Sequence, residues 1–161
     1  MSTYVLVPGA WLGGWVWEPV AAPLRERGHA VHPLTLPGLS DRSTGAAGVG
    51  LEDHVEDVVT VLEDRDLRDV VLLGHSYAGL VAGMVADRAP DRVAHTVFLD
   101  ANVPVDGASM VDGWSAAGRA GAAPARGGPA RHLGLRRARD RPLADGSTPE
   151  QLVELLDQLG R

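Results

Sequence analysis

Apolar residues recur along the first two thirds of the chain in two alternating rhythms. Thr3–Val7 is a short β-rich run that stops at Pro8-Gly9. Residues 18–27 then place Val20 and Leu24 four apart, with Pro19 in the first turn and Gly28 as a stop, which predicts a helix. Residues 30–36 form a second apolar run, closed by Pro37-Gly38, and a Gly/Ser loop over 40–50 follows. Residues 51–62 set Leu51, Val55, Val58, Val59 and Leu62 on one helical face and acids on the other. Strands are predicted again at 69–73 and 93–99. Between them, 77–88 carries no charge before Asp87 and reads as a helix buried on most sides. Strand–helix alternation of this kind predicts an α/β architecture: a mainly parallel sheet with helices on both faces and 69–73 central.

The rhythm breaks after residue 112. Residues 115–143 contain 8 Ala, 7 Arg, 5 Gly and 3 Pro. With seven Arg against the single Asp140, this segment is strongly basic in a chain of net charge −6. It reads as a disordered basic linker, a patch for an anionic partner, or a mobile lid. One more helix is predicted at 149–159, with Thr148 and Gln151 as a capping-box pair and Leu152, Leu155, Leu156 and Leu159 as its stripe. The expected organisation is a sheet-bearing unit over 1–112, an irregular segment over 113–146 and a terminal helix over 147–161.

Composition narrows the chemistry. The 161 residues suffice for one domain with a real core. No run approaches a membrane span, and the first residues lack a charged signal region, so a cytoplasmic location is expected. There is no cysteine, which removes thiolate sites and a cysteine nucleophile, and no lysine, which removes Schiff-base chemistry. The acidic balance argues against nucleic acid as a partner. His29 and His32 sit three apart on a strand-like run, facing opposite sides, and His54 is assigned with Asp53 and Asp57 to an exposed acidic face. No metal site is expected. With neither a G-x-G-x-x-G nor a Walker loop, no nucleotide cofactor is implied.

The residues that carry chemistry are Gly74-His75-Ser76-Tyr77-Ala78, followed by Gly79, lying between a strand and an apolar helix. This fits a nucleophile elbow with a small residue where glycine is usual. The serine needs a sharp strand-to-helix turn, and only small neighbours allow it. The helix N-terminus also favours a developing negative charge. The alternative is that Ser76 merely caps the helix. A loop after the first strand, at Pro8-Gly9-Ala10-Trp11, is placed to supply a second backbone N–H, making Ala10 and Tyr77 the candidate oxyanion-hole donors. Trp11 and Trp15 are candidates for an apolar substrate pocket. Core packing is the expectation for at least two of Trp11, Trp15 and Trp17. His75 is expected to be a packed structural side chain.

The runs LVPGAWLGGWVWEPVAAPLRERGHAVHPLTLPGLSDRS, LEDHVEDVV, DVVLLGHSYAGLVAGMVADRAPDRV and FLDANVPVDGASM resemble the α/β-hydrolase fold. Within it they are similar to the branch of bacterial esterases, plant methyl esterases and hydroxynitrile lyases. The resemblance covers roughly residues 3–112. It implies a serine that attacks an ester carbonyl, a histidine base after the last strand and an orienting aspartate before it. Hydroxynitrile lyases tend to carry threonine at the place of Ala10 and a lysine near the histidine, so the resemblance favours ester hydrolysis of a small apolar ester. Pro8 stands where the family often has histidine.

Family members are substantially longer, with further strands, a helical cap, and the Asp and His late in the chain. No convincing later strand is legible here. A frameshift or internal deletion in a GC-rich gene would give the Ala/Arg/Gly/Pro segment; a minimal member with a divergent tail is the alternative. After Ser76 only His95 and His132 remain as histidines. His95 opens a strand, the wrong end of the sheet, which leaves His132 as the candidate base and Asp100, at a strand end, as the candidate acid. The readings are therefore a serine esterase, a catalytically incomplete relative or ligand-binding module, and, third, a hydroxynitrile lyase. Activity is expected to be slow at most, and the 93–99 strand to be an open apolar edge inviting self-association.

Overall fold

The structure is a computed structural model that describes residues 1–42, 48–110 and 148–160. Four strands, β1 (Thr3–Val7), β2 (Ala30–Pro33), β3 (Val70–His75) and β4 (Val93–Leu99), form one sheet in the order β2-β1-β3-β4. Every pairing is parallel. The helices are α1 (Glu18–Glu26), α2 (Leu51–Asp64), α3 (Ala78–Arg88) and α4 (Pro149–Leu159), with short 3₁₀ turns at Gly14–Trp17 and Ser40–Arg42.

Alternation along the strands divides the core in two. Val5, Val7, Val70 and Leu72 point to the side covered by α2 and α3, where Val55, Val58, Leu62, Val81 and Val85 meet them. Tyr4, Leu6, Val71 and Leu73 point to the other side, against Val20 and Leu24 of α1 and Leu152 and Leu156 of α4. The result is the expected three-layer α/β arrangement.

Several boundaries differ from the sequence reading. β2 stops at Pro33, which has no N–H for a ladder. Leu34 adds one last bond to the Leu6 carbonyl, and Leu34 and Leu36 still enter the core. β3 runs two residues further than expected because Gly74 and His75 still find partners in Phe98 and Leu99. Of the three clustered tryptophans only Trp17 is core. Trp11 is 75% exposed and Trp15 55%, because the chain turns outward between Gly9 and Gly14.

The α4 stripe is also rotated. The capping box is present, with the Gln151 N–H donating to Thr148 Oγ1 and the Thr148 N–H to Gln151 Oε1. The buried face is Leu152, Val153, Leu156 and Asp157, whereas Leu155 and Leu159 are exposed. The reason is polar. Asp157 is drawn inward by His29, whose Nε2 lies 2.8 Å from Asp157 Oδ1, and by Arg27 at 3.3 Å. Tyr4 adds a hydroxyl bond to the Leu156 carbonyl at 2.7 Å.

β4 pairs on one side only among the described residues, and Phe98 there is 39% exposed. Also among the described residues, no helix is long and apolar enough to cross a membrane. The expectations for residues 113–146 and for His132 lie outside the described residues.

Candidate active site

The C-terminal edge of the sheet gathers the unusual backbone. Among the described residues six non-glycine residues have positive φ, and four of them stand at this edge: Trp11, Ser40, Ser76 and Asp100. The remaining two, Asp66 and Asp69, belong to a residue type that tolerates this region in turns. A left-handed serine or tryptophan stores strain on the order of 1 kcal/mol or more and persists only where its surroundings enforce it.

Ser76, at φ 53°, sits between the end of β3 and the start of α3. Its backbone is held on all sides. The Ser76 N–H donates to the Leu99 carbonyl at 3.3 Å. The Ser76 carbonyl accepts from the N–H of Asn102 at 3.0 Å and of Gly79 at 3.2 Å. Small neighbours are compulsory. A Cβ on Gly74 would come within 2.3 Å of the Ala78 carbonyl oxygen, and one on Gly79 within 2.4 Å of the Asn102 carbonyl oxygen.

The same bonds orient the next amide. A trans peptide points its N–H opposite to its C=O. With the Ser76 carbonyl turned toward Asn102 and Gly79, the Tyr77 N–H faces the other way. Among the described residues no hydrogen bond engages it.

The loop after β1 lies against this turn. Val7 pairs with Gly74, and a Cβ on Gly9 would be 3.1 Å from Ser76 Cβ and 3.1 Å from His75 Nδ1. A side chain there would make those neighbours give by a few tenths of an ångström. The loop closes through a Leu12 N–H to Gly9 carbonyl bond at 3.2 Å, with Trp11 at φ 65°. The Ala10 N–H, like that of Tyr77, has no hydrogen-bond partner among the described residues.

The two side chains flanking Ser76 are tied to opposite layers. The His75 ring packs edge-on against buried Trp17, centroids 6.2 Å apart. The Tyr77 hydroxyl lies 2.8 Å from His54 Nδ1, and His54 Nε2 lies 2.8 Å from the Pro37 carbonyl oxygen. His54 is 7% exposed, which corrects its assignment to a solvated face. It falls three residues after Leu51 and four before Val58, so it belongs to the apolar stripe of α2. That spacing was the available signal. Burial raises the Tyr77 phenol above its ordinary pKa and keeps it a donor.

The other candidates separate clearly. Asp100 directly follows Leu99 at the same edge as Ser76, exposed and at φ 41°. His95 pairs with Val71, five residues back along the ladder from Ser76, roughly 16 Å at strand spacing. Among the described residues no histidine is hydrogen-bonded to the Ser76 hydroxyl. Trp11 and Trp15 stand in solvent, Trp15 donating to Ser40 Oγ at 3.1 Å. The groove beside the turn, about 890 Å³, opens on the other flank, lined by Tyr77, Leu80, Met84, Leu51, Pro104 and Val105 among others. Neither tryptophan is part of it.

The fold is that of a known family. Residues 4–160 match the alpha/beta hydrolase family. The chain belongs to that family. It is 44% identical over 112 residues to a carbendazim hydrolyzing esterase of Nocardioides, covering 69% of this chain and 46% of that protein. It is 34% identical over 104 residues to methylesterase 8 of Arabidopsis thaliana, 63% of this chain and 38% of the relative. A solved extracellular alpha/beta-hydrolase from a Paenibacillus species superposes with a TM-score of 0.70 at 34% identity, over 75% of this chain and 49% of that one. The chain thus spans less than half the length of these two curated relatives.

Proposed function

We propose that this alpha/beta hydrolase carries the nucleophile and oxyanion side of a carboxylic ester hydrolase acting on small apolar esters. The observation that carries the reading is a single one. Ser76 is held left-handed at a strand-to-helix turn, with the unengaged amide of Tyr77 directly after it and that of Ala10 next to Gly9, which lies against it.

In this reading Ser76 Oγ attacks the ester carbonyl carbon and the carbonyl oxygen becomes an oxyanion. The Ala10 and Tyr77 N–H groups receive that charge, supported by the N-terminus of α3. His132 takes the Ser76 proton and returns it to the departing alcohol, and Asp100 orients the histidine. Water then hydrolyses the acyl-serine. Esterase and methylesterase relatives support a small alcohol as the leaving group.

The test is p-nitrophenyl acetate hydrolysis by the wild type, Ser76→Ala and His132→Ala. Turnover lost in both variants is the expected result. Turnover that persists in Ser76→Ala contradicts the assignment. Loss in Ser76→Ala alone removes His132 and moves the base elsewhere.

A further inference from the structure

We propose that His54 is a positioning residue for the reaction: through the Tyr77 hydroxyl it holds the residue whose N–H faces the oxyanion. This rests on the ester-hydrolase reading and adds a residue to it.

The chemistry of the contact fixes its direction. The Pro37 carbonyl can only accept, so His54 Nε2 carries the hydrogen at their 2.8 Å contact. With the imidazole neutral, Nδ1 is then an acceptor, and the Tyr77 O–H donates to it at 2.8 Å. Both ring nitrogens of His54 are thus engaged, in a chain running from Tyr77 through His54 to Pro37. The rings of His54 and Tyr77 also meet edge-to-face, 5.6 Å between centroids.

Three elements meet at this one imidazole. His54 is part of α2. Tyr77 is the cap residue of α3, directly after Ser76. Pro37 belongs to the loop after β2, which has its own ties: Arg42 pairs with Asp57 of α2 at 2.9 Å and donates to the Thr35 carbonyl at 2.7 Å. The Gly14 N–H donates to Thr35 Oγ1 at 2.9 Å, which connects that loop to the segment following Ala10. The two amides assigned to the oxyanion are therefore linked through α2 and the 35–42 loop, as well as across the β1–β3 ladder. His54 is the buried node of that link.

The alternative for a buried histidine is a purely structural tie, which lowers stability when broken and leaves the chemistry alone. Position separates the two. Tyr77 is anchored at both ends, by the Ser76 peptide and by its phenol. Releasing the phenol removes the tie between α2 and the start of α3, so the Ser76–Tyr77 peptide and the N–H within it can shift with that end of the helix. A donor misplaced by a fraction of an ångström loses much of its effect in the transition state, while substrate affinity is hardly touched.

The experiment is steady-state p-nitrophenyl acetate kinetics with thermal melts, on the wild type, Ser76→Ala, Tyr77→Phe, His54→Ala, His54→Asn and the Tyr77→Phe/His54→Ala pair. Tyr77→Phe and His54→Ala should each lower kcat about tenfold with KM unchanged. The pair should be no slower than either single variant, because both remove one link. His54→Asn, which offers an amide oxygen near the place of Nδ1, should recover part of kcat. If the variants melt earlier but keep the wild-type kcat, His54 is only structural and the proposal is overturned while the hydrolase reading stands. If the wild type itself shows no Ser76-dependent turnover, the hydrolase reading fails and the positioning role falls with it.

Discussion

The two ends of the sheet treat their polar groups in opposite ways. At the N-terminal end of the strands, burial comes with pairing. His29 and Asp157 are only 6% and 9% exposed, yet they meet at 2.8 Å. His29 Nδ1 accepts the Ser2 N–H at 3.2 Å, Arg27 reaches both Asp157 and Glu154, and Ser2 Oγ donates to the Gly160 carbonyl. At the C-terminal end, Ser76, Trp11 and Asp100 take left-handed backbone, and two amides point away from any partner among the described residues. The first arrangement clamps α4 to the body. The second keeps strain and donors in reserve, the two features on which the proposed site rests. Substitutions at the two ends should therefore separate stability from activity.

The largest effect is expected at Gly74, which serves both purposes. Gly74→Ala forces a Cβ into the Ala78 carbonyl, and backbone cannot step aside. A loss of about 3 kcal/mol is expected in urea unfolding, with hydrolysis lost alongside. His29→Ala comes next, at about 2 kcal/mol, because it strips a buried carboxylate of its 2.8 Å partner. Here the rate per folded molecule should not change; a fall in kcat would mean that the clamp reaches the site.

Ser76→Gly should do the reverse. It relieves the left-handed strain, so stability is expected to rise by about 1 kcal/mol while hydrolysis disappears. A destabilised Ser76→Gly protein would show that the turn is not strained. The smallest effect concerns pH. His32 is pushed below its ordinary pKa by burial and then by the Arg65 and Arg25 charges. The unfolded chain therefore binds that proton more readily than the folded one. Stability is fully present above the unfolded value of about 6.5 and falls as the pH drops below it. Thermal melts between pH 7.5 and 5.5 should show a shallower decline in His32→Gln than in the wild type.

Most of the architecture was legible because it rests on local patterns. The β1 run, the α2 periodicity, the capped start and extent of α4 and the Gly-x-Ser-x-Ala turn each fall inside a short window, and each appears where those patterns put it. Much of what escaped depends on residues distant in the chain. The α4 stripe was assigned to leucines alone, whereas its buried face includes Asp157, which is inward only because His29 and Arg27 wait there. His54 was grouped with its acidic neighbours although its spacing from Leu51 and Val58 puts it on the apolar face. Its role depends on a tyrosine 23 residues away. Trp11 and Trp15 look like core by type, but a turn closed at Gly9 carries them into solvent. Gly9 shows its purpose only when β1 and β3 are laid side by side.

The central claim is that the strained end of the sheet makes Ser76 a reactive nucleophile. The most direct measurement is intact-mass and peptide-mapping analysis of the full chain after incubation with a fluorophosphonate, for the wild type and Ser76→Ala. One phosphonyl adduct on Ser76, absent from Ser76→Ala, is the predicted result. No adduct on the wild type, or one mapped to another hydroxyl and retained in Ser76→Ala, would contradict it.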